Sequence, residues 1–216
     1  MVVKLVVKLP FLIVASILFQ NCSREIVNLD TAKEIVREYY ESRQYDEDVT
    51  RIIDDAKEKL DGINPGDNSA VVFDVDDTAI SGYAYTEEIG FGYSHEHWRA
   101  WAEEANAPAI EQVKEFYDWL IERNIQVIFL TGRRNEVCNF TYKNLINAGY
   151  TKFDTLICRN DEQQKLPAAE YKTEVRTEMT KHGYEIIACV GDQETDLEGD
   201  FTGLKIKLPN YLYLTN

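Results

Sequence analysis

Two hydrophobic rhythms alternate along the chain: short unbroken apolar runs, and longer stretches whose apolar positions recur every three or four residues. Residues 29–61 carry two stretches of the second kind. Val36, Tyr39 and Tyr40 mark the first, and Val49, Ile52, Ile53, Ala56 and Leu60 the second, predicting two amphipathic helices that stop at Gly62, Pro65 and Gly66. Ala70-Val71-Val72 then predicts a buried strand, and residues 126–130, 155–158, 186–190 and 204–208 predict four more. Between them, Pro108 opens a helix with Ile110, Val113, Phe116, Tyr117, Leu120 and Ile121 at helical spacing. Another helix ends at a Gly149 cap, and a third covers residues 168–182 before Gly183. Residues 79–106, rich in glycine and aromatics, predict an inserted loop or small helical flap. Strand and helix in alternation imply right-handed crossovers and a parallel sheet covered on both faces. The expected fold is therefore a three-layer α/β/α domain preceded by N-terminal helices.

In such sheets ligands bind beyond the carboxyl ends of the strands. Three of the predicted strands end in polar signatures: Asp74-Val75-Asp76, Thr131-Gly132-Arg133 and Gly191-Asp192. Side chains two apart on an extended segment lie on the same side, so Asp74 and Asp76 face one reacting group if the strand continues and flank it if the chain turns. The plain alternative is an acidic loop after a strand. Asp192 and Asp196 add two further acids, and four carboxylates together repel and resist desolvation without a cation. Oxygen donors select magnesium or a similarly hard ion over zinc. Thr131 and the backbone amide of Gly132 suit a phosphate oxygen, glycine permitting close approach. One lysine is needed to offset charge on a transferring group, and Lys172 and Lys165 are the candidates.

The N-terminus is of a different kind. Lys4 and Lys8 precede an apolar stretch from residue 9 to 19, interrupted by Pro10, which is poor as a membrane span and fits an export signal over residues 1–21. Cys22 directly behind it resembles a bacterial lipoprotein site, so a lipid anchor through Cys22 and a periplasmic or membrane-anchored location are expected. The 216 residues, 44% hydrophobic, suit one well-cored domain. The net charge of −15 becomes more negative once the two leader lysines are removed. That balance argues against a nucleic-acid polymer or an anionic membrane as the main partner, and makes any anion site local. Cys138, Cys158 and Cys189 leave an odd thiol whose identity the sequence leaves open, although Cys189, on a central strand, reads as an inert buried one. No Cys-x-x-Cys spacing supports a zinc ribbon.

Taken together, the motifs resemble the haloacid dehalogenase-like (HAD) superfamily, and within it the exported acid phosphatases that include plant vegetative storage proteins and bacterial lipoprotein acid phosphatases. Residues 73–78 match the first motif, 130–133 the second, Tyr171-Lys172 with Arg176 the third, and 190–197 the fourth. Ala107-Pro108-Ala109 and Lys207-Leu208-Pro209-Asn210 are secondary matches, and the resemblance spans residues 29–212. It implies a magnesium-dependent phosphomonoesterase acting on small phosphate monoesters, with 5′-nucleotides among the candidates. Asp74 would be the nucleophile and Asp76 the acid and base, which agrees with carboxylate nucleophiles splitting a hard hydrolysis into two steps. Asp74, the backbone carbonyl of Asp76, and Asp192 would hold Mg2+. Thr131, Gly132 and Lys172 would bind phosphate, with Asp196 orienting Lys172 or a metal water and Arg133 either orienting substrate or pairing with an acid.

Other residues carry plainer readings. His95 and His97 flank Glu96 without the spacing of a helical zinc pair. Tyr83, Tyr85, Phe91, Tyr93, Trp98 and Trp101 either stack a nucleobase or aryl group or pack the flap on the sheet. Two other functions compete: a non-catalytic storage or surface protein on the same fold, and a phosphotransferase that passes phosphate to an alcohol. Some storage relatives lack the nucleophile, whereas this chain keeps Asp74.

Overall fold

Five parallel strands, β1 (Ser69–Phe73), β2 (Gln126–Arg134), β3 (Thr155–Arg159), β4 (Glu185–Gly191) and β5 (Leu204–Lys207), pair in the order β3-β2-β1-β4-β5. They belong to a computed structural model that describes residues 26–215, so the export signal and Cys22 lie outside the described residues. Alternation along the central strands splits the core in two. Val71 and Phe73 join Val127 and Phe129 on one face, while Ala70 and Val72 join Ile128 and Leu130 on the other. Helix α2 (Gln44–Asp61) covers the first face through Val49, Ile53 and Leu60, and α5 (Glu111–Glu122) covers it through Val113, Phe116 and Leu120. Helix α1 (Leu29–Glu41) adds Tyr39, and α6 (Cys138–Asn147) adds Leu145. Helix α7 (Ala168–Lys181) covers the second face through Tyr171, Val175 and Met179. Each large side chain so buried contributes about 1.5–3 kcal/mol, so the sheet is held by packing from both sides.

Register decides what the sheet presents. Phe73 lies opposite Phe129 on β2 and Val190 on β4, so the residues that follow each strand emerge level at one edge. The Asp74 amide donates to the Val190 carbonyl at 2.9 Å, which locks that level.

The flap, residues 79–106, folds as two helices, α3 (Tyr83–Glu88) and α4 (His95–Glu104), the second capped by Ser94. Its two ends are stitched together. Ser81 donates to the Pro108 carbonyl at 2.9 Å and Ile110 to the Ala79 carbonyl at 3.1 Å, across a bridge between Ile80 and Ala109. This corrects one expectation: Pro108 does not open the helix, because pairing with the flap base keeps the backbone extended until α5 starts at Glu111. Cys138, the first residue of α6, is bonded to Cys158 on β3, leaving Cys189 as the free, buried thiol among the described residues. Burial pushes that thiol up to about 12, which keeps it protonated and inert.

Candidate active site

The carboxyl ends of β1, β2 and β4 open into a cavity of about 680 Å³ whose floor holds Asp74, Asp76, Asp192, Asp196 and Lys172. Each arrives by a different local device. Asp74 leaves β1 directly, and after it the chain turns: Thr78, Ala79 and Ile80 all donate to the Val75 carbonyl, and Asp77 takes a left-handed φ of 50°. Aspartate tolerates that region because its short side chain bonds locally, here accepting from the Gly82 amide at 2.8 Å. The strand therefore does not continue through Asp76: Asp74 follows the strand end, Asp76 sits in the turn, and both line the cavity.

Asp192 and Asp196 come from the turn after β4 and the short helix α8 (Glu194–Leu197). Gln193 and Asp196 cap each other across that turn, the Gln193 amide donating to Asp196 Oδ2 at 2.9 Å. Gly191 is required there, since a Cβ on it would lie 2.3 Å from Asp196 Cβ. Arg176, fully buried on α7, donates to the Asp196 carbonyl at 3.0 Å and the Asp200 carbonyl at 3.1 Å, and so fixes the loop that carries Asp196. One turn earlier on the same helix, Tyr171 reaches the Thr131 carbonyl at 3.2 Å, which aims Lys172 at the cluster. The Lys172 ammonium bridges Asp74 and Asp196. Lys165, by contrast, is exposed on the turn before α7.

One carboxylate oxygen from each of Asp74, Asp192 and Asp196 lies within 4.8 Å of the other two. Three buried acids around one ammonium leave negative charge in surplus. Burial lifts Asp74 well above the ordinary carboxylate range, opposed by Lys172 and reinforced by Asp196, Asp192 and Asp76. Burial alone would lower Lys172, but the Asp74 and Asp196 carboxylates outweigh it and raise the ammonium above its ordinary value. Asp192 is pushed up to about 6 by burial and by Asp196, while Asn210, Gln193 and Thr78 pull it back by hydrogen bonding. Those three donors stand at 2.6, 2.6 and 2.9 Å. An all-oxygen donor set with excess negative charge fits a hard divalent cation such as Mg2+. The sequence expectation placed Asp76 beside this set through its carbonyl; its carboxylate is elsewhere engaged, held by Arg133 at 2.6 and 2.9 Å. Arg133 therefore pairs with an acid.

The phosphate side of the site divides. Gly132 forms part of the cavity wall, and a Cβ there would meet nothing within 4 Å. Thr131 is buried behind that wall with Oγ1 accepting from the Arg133 amide at 3.1 Å, and among the described residues its hydroxyl donates to no partner. Among the flap aromatics, Tyr85, Tyr93, Trp98 and Trp101 line the cavity. Tyr83 does not: its ring stacks on Tyr40 and its hydroxyl bonds Glu41 at 2.8 Å. His95 lines the mouth, stacked on Trp98, and is not part of the acid cluster.

Several partners escaped the sequence reading. Asp77 is pushed up to about 7 by burial and by Asp192, and the third acid of the run was its visible signal. Asn210 sits in the Lys207-Leu208-Pro209-Asn210 string that already stood out. It turns the C-terminal segment back over the site, where Gln193 binds Thr215 N at 3.1 Å and the Tyr213 carbonyl at 3.4 Å. Tyr213 lines the cavity among the acids, and no local pattern foretells a contact made by a tail returning from β5.

Comparison with known proteins yields three kinds of likeness. Residues 9–216 match the model of a family described as HAD superfamily, subfamily IIIB (acid phosphatase). Acid phosphatase 1 of Solanum lycopersicum is 32% identical over 82% of this chain and 72% of its own, and vegetative storage protein 1 of Arabidopsis thaliana is 31% identical over 92% and 80%. The class C acid phosphatase of Bacillus anthracis, solved with tungstate bound, superposes with a TM-score of 0.70 at 19% identity, covering 87% of each chain.

Proposed function

Because this chain belongs to subfamily IIIB of the HAD superfamily and is thus a phosphoric monoester hydrolase, we propose that it works with Mg2+ through an aspartyl-phosphate on Asp74. The observation that carries the reading is the buried set of Asp74, Lys172 and Asp196 beside Asp192, which holds more carboxylates than one ammonium neutralises, so the acids either keep protons or share a further cation. Asp74, Asp192 and the Asp76 carbonyl are the residues that would hold Mg2+. When bound, the ion supplies neutralising charge to the carboxylates and to the phosphoryl group.

In the first step an Asp74 oxygen attacks phosphorus, the ester P–O bond breaks, and the leaving oxygen takes a proton from Asp76. In the second, Asp76 takes a proton from water as that water attacks phosphorus, and the Asp74 acyl phosphate returns to carboxylate and inorganic phosphate. Lys172 and the Gly132 amide stabilise the transferring group, the Thr131 hydroxyl proton is the remaining donor, and Asp196 keeps Lys172 in place. A cavity of about 680 Å³ holds more than a phosphate, and aromatic walls suit the base of a 5′-nucleotide. The Cys138–Cys158 disulfide supports export to an oxidising compartment, which agrees with a leader over residues 1–21 and leaves a lipid anchor at Cys22 as a further proposal.

The storage-protein reading is favoured only by the names of relatives such as vegetative storage protein 1. A substrate panel separates the two. Turnover of para-nitrophenyl phosphate and nucleoside monophosphates, abolished by chelator and restored by Mg2+, is expected. A folded protein inert toward every ester contradicts the proposal, and phosphorylated acceptor alcohol among the products shifts it to phosphotransfer.

A further inference from the structure

Arg133 is held on several sides at the site. Its side chain is 1% exposed, its fork takes both oxygens of Asp76, and its third nitrogen donates to the Thr141 hydroxyl at 3.2 Å. Thr141 is in turn tied to the Val137 carbonyl at 3.0 Å, so α6 anchors that end of the guanidinium. Two tryptophans of α4 close over it: the guanidinium carbon lies 5.6 Å from the Trp98 ring centre and 5.5 Å from that of Trp101. Trp101 is stacked on Tyr85 at 5.2 Å and Trp98 on His95 at 6.2 Å. All three of its nitrogens are engaged inside the protein, through three of the five N–H donors, so its orientation is set by Asp76 and Thr141.

We propose that Arg133 is a positioning residue for the proton donor Asp76, and that the flap acts on the chemistry through Trp98 and Trp101, which clamp Arg133. The flap is then more than a wall for the leaving group. Its folding sets the orientation of the carboxyl that must reach the leaving oxygen, so an open or loosened flap leaves Asp74 able to attack and Asp76 poorly aimed. The inference rests on Asp76 being the acid of the proposed mechanism.

Leaving groups test it. A phenolate departs with little help from a proton, whereas an alkoxide needs one, so loss of a positioned acid is felt mainly by alkyl esters. Arg133→Met should cut kcat/KM for glycerol phosphate by about 10²-fold or more while para-nitrophenyl phosphate stays within about tenfold. Arg133→Lys, which keeps the charge and loses the fork, should fall between. Trp98→Ala and Trp101→Phe should show the same selective loss at roughly threefold to tenfold, the scale of a cation–π contact. In an Asp76→Asn background, Arg133→Met should add nothing further. Equal losses on both esters make Arg133 merely structural. A rise in KM for both at unchanged kcat makes it a phosphate ligand, and a rise in KM confined to nucleoside monophosphates in Trp98→Ala makes the tryptophan a base platform. Any of these overturns the proposal. A wild-type protein inert toward both esters instead overturns the reading of the site as a hydrolase. Melting temperatures and an inorganic-phosphate titration on each variant separate misfolding from mispositioning.

Discussion

Replacing Lys172 by methionine removes the ammonium that bridges Asp74 and Asp196 while keeping most of the volume of the stem. The side chain is 6% exposed and its two partners 9% and 6%, so water screens the carboxylates left behind very little. Removing one partner of a buried pair costs about 3–5 kcal/mol. Asp74 relieves part of that by taking a proton, since burial already holds it above the ordinary range. The lower end, roughly 3 kcal/mol, is therefore expected at pH 7 without metal. For a domain of this size each kcal/mol moves Tm by about 2–4 °C, so a fall of roughly 6–12 °C should appear in a thermal melt. Mg2+ should recover part of the stability and none of the rate, because the ion neutralises carboxylates without replacing the donor to the transferring group. kcat/KM should fall about 10²-fold or more. Lys165→Ala is the matched control, exposed and expected within about 0.5 kcal/mol of wild type with full activity. A Lys172→Met protein that melts with the wild type and turns over within tenfold of it refutes the reasoning, as does crippling by Lys165→Ala.

The glycines of the site should behave oppositely: Gly191→Ala drives a Cβ into Asp196 and should cost stability by about 1–3 kcal/mol together with activity, whereas Gly132→Ala should raise KM at an unchanged melting temperature. Breaking Cys138–Cys158, which closes a loop of 20 residues, should cost about 3 kcal/mol, read as a reductant-dependent fall in Tm that the Cys138→Ser, Cys158→Ser double variant reproduces without reductant. In metal-free protein, Asp77 at about 7 and Asp192 at about 6 keep protons that the unfolded chain has already released, so stability should fall as pH rises from about 4 to 7. Asp77→Asn should flatten that slope and Mg2+ should stabilise more at pH 7 than at pH 5; denaturant melts that stay level or rise across this range contradict the burial argument.

The strands and helices were legible because their signals are local: apolar runs bounded by glycine, and apolar positions at helical spacing. Asp74, Asp192 and Asp196 were legible as a set because each stands at or just beyond the end of a predicted strand, whereas Lys172, inside the helix predicted over residues 168–182, was set apart from Lys165 only by the motif resemblance. Pairings across the fold were not. Arg133 had several acids within plausible reach, and only the turn after Asp74 and the closure of α4 select Asp76. The three thiols allowed several pairings, and Cys158 meets Cys138 because β3 lies beside β2 just where α6 begins. Pro108 reads locally as a helix start, but the bridge between Ile80 and Ala109 overrides that preference. Tyr213 and Asn210 reach the acids through a chain return that leaves no periodic trace.

The covalent role of Asp74 is tested most directly by trapping. Enzyme quenched in acid during turnover of a phosphate monoester and then treated with borohydride should carry homoserine in place of Asp74, since an acyl phosphate is reduced to the alcohol and a free carboxylate is not. The peptide map should show that conversion in the wild type, none in unreacted enzyme, and no turnover in a folded Asp74→Asn variant. An active enzyme with Asp74 unmodified in the quench, together with an Asp74→Asn variant within about tenfold of wild type, would contradict it.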